Sequence, residues 1–132
     1  FDNWDPYKNY LFAKEKFEMK ENKKTNPSTF TNFAQNDQKL YCLHTYLMFL
    51  KFGFGRASQD ACIEIRRGAM SRDQAISLVN LYDHEFPNIF LKDYLKYYNL
   101  DIKQLRAIFE KFANKDVLDK KGNYWIKNFK LV

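Results

Sequence analysis

The sequence predicts an all-α domain of about six helices packed around one central apolar helix, residues 37–54, followed by an extended C-terminal tail. Three observations lead there. Only 4 glycines and 3 prolines punctuate 132 residues, which favours long helices over many short strands. In the stretch DQKLYCLHTYLMFLKFGFGR, from Asp37 to Arg56, Leu40, Leu43, Leu47, Leu50 and Phe54 fall within about a quarter of a helical circumference, at ~100° per residue. Two later segments open with capping boxes, Ser71 with Gln74 and Asp101 with Gln104.

Asp5 caps the first helix, with Pro6 at its first position. It runs to about Glu21, turning Tyr7, Tyr10, Ala13 and Phe17 inward, while Lys14, Lys16 and Lys20 alternate with glutamates on a solvated face. Residues 22–36 are polar and irregular. They read as a connecting loop held by two buried phenylalanines, Phe30 and Phe33, with short hydrogen-bonding side chains between them.

The central helix is apolar nearly all round, because Tyr41, Met48, Phe49 and Phe52 cover much of what the leucines leave. His44 and Lys51 stack two turns apart beside the leucine stripe, and the helix runs into Gly53-Phe54-Gly55-Arg56. Glycines there permit positive φ and close backbone approach. A histidine, a lysine and an arginine are therefore expected to converge near the end of a buried helix.

Ser58 caps a short helix through Arg67, closed by Gly68, and Arg56, Asp60, Glu64 and Arg67 form a salt-bridge ladder along it. The next helix turns Ala75, Ile76, Val79 and Tyr82 inward and ends at Asp83-His84-Glu85-Phe86-Pro87. Those three consecutive polar side chains point in different directions, so no metal set is assigned. A fifth helix spans about residues 89–98. The sixth carries a hydrophobic staple of Leu100 and Leu105 and buries Leu105, Ile108, Phe109 and Phe112. After a Gly122-Asn123 turn, residues 124–132 alternate as an extended segment whose pairing partner lies elsewhere.

Composition narrows the function. Net charge is +6, divided as +1 over residues 1–36, +2 over 37–70, −1 over 71–100 and +4 over 101–132. That suits a soluble basic surface or a polyanionic partner. Cys42 and Cys62 read as reduced core thiols. No run of about 18 apolar residues offers a membrane span. The first residue is Phe1, not Met, which leads to the expectation of a piece of a longer protein. No Walker loop, nucleophile elbow, HExxH or CxxC is present.

The order of residues adds more. Thr31-Asn32-Phe33-Ala34, Asp37-x-Lys39-Leu40, and the run Leu43-His44-x-Tyr46-Leu47-Met48-x-Leu50-Lys51-Phe52-Gly53-Phe54-Gly55-Arg56-Ala57 resemble the C-terminal part of the N-acetyl sugar amidotransferases. The likeness continues through Asp60-Ala61, Glu64-Ile65-Arg66, Gly68, Ser71-Arg72-Asp73-Gln74-Ala75 and Tyr82-Asp83-x-Glu85-Phe86-Pro87. Trp4-Asp5 before the first helix fits as well.

That resemblance implies the C-terminal part of a larger α/β enzyme of the ATP-pyrophosphatase group, whose upstream domain carries an SGGxDS-type phosphate loop absent here. It implies conversion of an acetamido to an acetamidino group on a free or nucleotide-linked N-acetyl sugar, for O-antigen or flagellin glycans in the bacterial cytoplasm. ATP with Mg and a glutaminase subunit supplying ammonia are implied for the whole enzyme, with no cofactor bound by this piece alone and no metal site. Lys51, Arg56 and Arg66 suit a phosphate-bearing substrate, with Lys39, Thr31 and Asn32 lining the same mouth. His44 reads equally as a core histidine or as a proton acceptor for ammonia. Two other functions stay open: a docking module for the glutaminase, and a helical nucleic-acid binder. The binder ranks last because residues 71–100 are net negative.

Overall fold

The computed structural model describes residues 4–132. Six α-helices follow one another: α1 (Pro6–Phe17), α2 (Lys39–Phe52), α3 (Arg56–Arg66), α4 (Arg72–Tyr82), α5 (Leu91–Tyr98) and α6 (Ile102–Phe112). A 3₁₀ turn, Asn88–Phe90, leads into α5. A hairpin of β1 (Leu118–Lys121) and β2 (Tyr124–Lys127) closes the chain, with Leu118 opposite Lys127 and Lys121 opposite Tyr124. The all-α class holds, since this hairpin is the one sheet among the described residues.

Local chemistry sets the helix starts. Asp5 accepts the Lys8 amide at 2.9 Å with Pro6 behind it. Both capping boxes form, Ser71 with Gln74 and Asp101 with Gln104. α1 stops earlier than its charge pattern suggests. Glu18 takes a left-handed φ of 53° and sends its amide to the Ala13 carbonyl, so Phe17 is left exposed.

Two cores result. The larger joins Leu43, Tyr46, Phe49 and Leu50 of α2 to Tyr94, Leu105, Phe109, Leu118 and Trp125. The smaller is nearly all methyl groups: Ala57 and Ala61 of α3 meet Ala75 and Val79 of α4. In both helices the pair is spaced i, i+4, so the two backbones approach closely along short side chains.

α2 is central, as expected, but its buried face is turned by about a quarter turn from the leucine stripe. Cys42, Leu43, Thr45, Tyr46, Phe49 and Leu50 face inward, whereas Leu40 and Phe54 are exposed. With apolar residues on every side, the leucine count could not set the facing. His44 and Lys51 border the leucines, and solvating those two side chains rolls that edge outward.

Other expectations shift for similar reasons. Phe112 is exposed at the last residue of α6, and Cys62 is exposed while Cys42 is buried. α3 begins at Arg56 behind Gly55, two residues before Ser58. The tail strand finds its partner immediately upstream in Leu118–Lys121, whose Asp-Lys-Lys gave no alternating signal.

One carboxylate links the pieces. Asp83, at the end of α4 and 1% exposed, accepts the Gly55 amide at 2.9 Å, the Ser58 amide at 3.0 Å and the Ser58 hydroxyl at 2.8 Å. Lys127 of β2 adds its ammonium at 2.9 Å. Gly55 is required here by space: a Cβ would lie 3.0 Å from both the Asp83 carbonyl oxygen and Oδ1. Asp83→Ala therefore strands two amides, a hydroxyl and a half-buried ammonium. We expect a loss of about 3–5 kcal/mol in urea unfolding, with a smaller loss for Lys127→Met.

Candidate functional site

Residues 18–38, between α1 and α2, are organised by asparagine. Asn26, 3% exposed, gives its amide nitrogen to the Ala34 carbonyl and to Asn36 Oδ1, both at 2.8 Å, and receives Asn22 Nδ2 at 2.6 Å. Asn32 reaches the Asn22 carbonyl at 2.9 Å, and Asn36 reaches the Asn32 carbonyl at 3.1 Å. Ser28, fully buried with φ 64°, donates its hydroxyl to the Glu85 carbonyl at 2.7 Å and its amide to the Glu85 carboxylate at 3.1 Å. Thr29, also fully buried, donates to Asp60 at 2.5 Å. The loop is thus held by polar anchors. Phe30 and Phe33, expected to be its buried pins, are only half-buried.

Phe33 instead lines a cleft. Its ring stacks on Tyr10 of α1, centroids 4.3 Å apart at 21°, with Tyr7 at 6.2 Å. The cleft, about 780 Å³, runs between α1, this loop and the end of α3, and Phe30, Thr31 and Asn32 complete its loop side. Charged pairs stand at its two ends. At one, Glu21 accepts the Tyr10 hydroxyl and the Lys14 ammonium, the latter at 3.0 Å. At the other, Arg67 pairs with Glu64 and, at 2.6 Å, with Asp5. The Thr31 hydroxyl oxygen is buried in this wall without a hydrogen-bond partner.

The cationic trio does not assemble. Arg56 and Arg66 stand at opposite ends of α3, about 15 Å apart for ten residues of helix. Arg56 is 2% exposed: Nη2 donates to the Ala34 carbonyl at 2.6 Å, Nε lies 3.8 Å from Asp60, and the guanidinium packs 5.1 Å from the Tyr41 ring centroid. Lys51 is exposed, its ammonium 5.2 Å from the Phe52 ring centroid. Arg66 is exposed and shares a hollow of about 630 Å³ with Trp4, Asp5, Ile63 and Arg67. Arg67 also lines the cleft, which joins the two spaces.

His44 is exposed beside Tyr41, so it is not a core histidine. Lys39 lies across the loop from the cleft, paired to Asp93 at 2.8 Å. Of the six candidate binding residues, the fold brings Thr31 and Asn32 together in the cleft and scatters the rest. Tyr7, Tyr10, Lys14, Glu21, Glu64 and Arg67 were overlooked, because helical periodicity files them as a packing face, a solvated face and a ladder. The usable signal was Tyr7 and Tyr10 at i, i+3, with Phe33 as a third ring.

Chemically, aromatic faces set between hydrogen-bonding groups suit a small ring with one apolar face and polar edges. Among the described residues no three His, Cys, Asp or Glu side chains gather as metal ligands. None of the 4 glycines opens a phosphate-cradling loop after a strand. No helix among them is long and apolar enough to cross a membrane.

The fold and cleft define a small helical domain with a ligand-sized recess. The family model described as the LPS biosynthesis protein WbpG-like, C-terminal domain, matches residues 27–131, and the chain belongs to that family. No curated protein matches it.

Burial pushes the Asp60 carboxyl above the ordinary aspartate range, against the opposing pull of the Thr29 hydroxyl and Arg56. A raised carboxyl binds its proton more tightly in the folded state, so its share of stability falls as pH rises from the ordinary aspartate value through the raised one. Asp60→Asn should therefore gain on the parent protein across that window, seen as a narrowing stability gap in denaturant midpoints measured from acid toward neutral pH.

Proposed function

We propose that this chain is the substrate-holding helical part of an ATP- and ammonia-dependent N-acetyl sugar amidotransferase of lipopolysaccharide biosynthesis, and that the cleft takes the N-acetylated ring. The observation that supports this is the lining: Tyr10 stacked on Phe33, with the unpartnered Thr31 hydroxyl and Asn32 beside them. The C–H face of a pyranose rests on an aromatic surface, while its hydroxyls and acetamido group exchange hydrogen bonds with short polar side chains.

In this reading the chain binds and orients. The acetamido carbonyl is held still while nitrogen replaces its oxygen. ATP with Mg activates that oxygen when bound, and we assign both to a separate nucleotide-binding part. A nucleotide-linked sugar would run its diphosphate past Arg67 toward Arg66, which has no partner among the described residues. Docking of an ammonia-supplying glutaminase is a second role with its own support. Phe52 and Phe54 are both exposed and stack at 5.9 Å beside Lys51.

Titration with N-acetylglucosamine and with its nucleotide-diphosphate form tests the reading, using ¹⁵N chemical shifts. Shifts are expected at Thr31–Ala34, with at least tenfold weaker binding after Phe33→Ala and after Thr31→Val, and extension to Arg66 and Arg67 for the nucleotide-linked sugar. Absence of saturable shifts in the cleft with either ligand refutes it.

A further inference from the structure

The cleft has three sides, and they are not equally fixed. The loop side is tied down through Asn26, Asn32, Ser28 and Thr29. The end of α3 is carried by the alanine core shared with α4, against which Phe30, Ile65 and Met70 pack. The third side, α1, is different. Of its 12 residues only Tyr10 is buried, and neither core draws a side chain from it. Residues 27–131, which the family shares, contain both cores and leave α1 out.

What holds α1 down is slight. Tyr10 stacks on Phe33, and Asp5, at the N-cap, pairs with Arg67 across a partly exposed surface. The Tyr10 and Lys14 bonds to Glu21 run to the connector that follows the helix rather than to either core. Ion pairs open to solvent contribute little, which leaves the ring stack and the Tyr10 hydroxyl as the main attachment, both on one residue. The connector suits a pivot. Glu18 takes the left-handed conformation at φ 53°, and the chain is next tied to the loop at Lys20, whose carbonyl accepts Asn36 Nδ2 at 3.4 Å, and at Asn22, whose amide donates to the Asn32 carbonyl at 2.9 Å.

Thr31 gives a motion there its purpose. Its hydroxyl oxygen lies buried in the cleft wall with no partner, so a guest reaches it only when a side of the cleft gives way. We infer that α1 is a hinged lid. It lifts as a unit about Glu18 and Met19, breaking the stack on Phe33 and the bonds to Arg67 and Glu21, while both cores stay closed. That the lid admits a sugar rests on the reading above; the motion itself does not. Once lifted, a helix this short has little stability of its own and melts, which makes the opening visible.

Amide hydrogen exchange on the whole chain provides the test. Residues 10–17 are expected to open together, and at least a hundredfold more readily than residues 43–52 of α2. Asp5→Asn keeps an N-cap but removes the charge paired to Arg67, and should speed exchange in α1 at least threefold with α2 unchanged. Tyr10→Ala should speed it at least tenfold. The thiol of Thr31→Cys should react with a maleimide more slowly than the exposed native Cys62, and faster again once either variant is added. Exchange graded inward from the ends of α1, equal opening of α1 and α2, or labelling of Thr31→Cys that ignores both variants overturns the lid. Saturating N-acetylglucosamine should slow exchange in α1. If it changes nothing while the variants still act, the sugar reading fails and the lid stands.

Discussion

The buried carboxylate of Asp83 is the constraint on which the arrangement depends. It answers the free amides at the start of α3, where Gly55 has no side chain to do so, and it neutralises Lys127 from the hairpin. A helix start is normally capped by its own N-cap residue. Here the acceptor comes from the end of the next helix, so the cap is also the link between α3, α4 and β2. The arrangement is strongly selective for sequence: a Cβ at residue 55 collides with it, and loss of the carboxylate leaves donors buried without acceptors.

The loop that shapes the cleft is held by the same kind of chemistry. Asn26, Ser28 and Thr29 are buried and bonded, while the phenylalanines beside them stay at the surface of a cleft. Buried amides and hydroxyls with every bond made give a fixed geometry to a segment without helix or strand. That is the property a binding wall needs. The two unpartnered groups, Thr31 Oγ1 and Arg56 Nη1, stand out against this background because so many of their neighbours are satisfied.

Helix existence was legible in the residues wherever a local rule acts: Asp5 before Pro6, and the boxes at Ser71 and Asp101. Facing was less so. The central helix offered apolar residues on all sides, and only the need to hydrate His44 and Lys51 decides which edge turns out. The candidate cations were misjudged for a related reason. Spacing along a helix places Arg56 near Lys51 in sequence, but the turn at Gly53–Gly55 sends Arg56 inward and leaves Lys51 outside. The cleft depends on Tyr10 meeting Phe33 across an irregular segment, and no periodicity encodes a contact of that kind.

The hairpin looks like an appendage on a helical body, yet Leu118 and Trp125 are sealed into the main core and Lys127 touches the Asp83 carboxylate. Its turn at Gly122 and Asn123 is exposed and packs on nothing within 4 Å of a Cβ at Gly122. For anyone labelling or immobilising this protein, the tip of that turn is therefore a tolerant attachment point, whereas trimming the strands on either side would unseat the helical body itself.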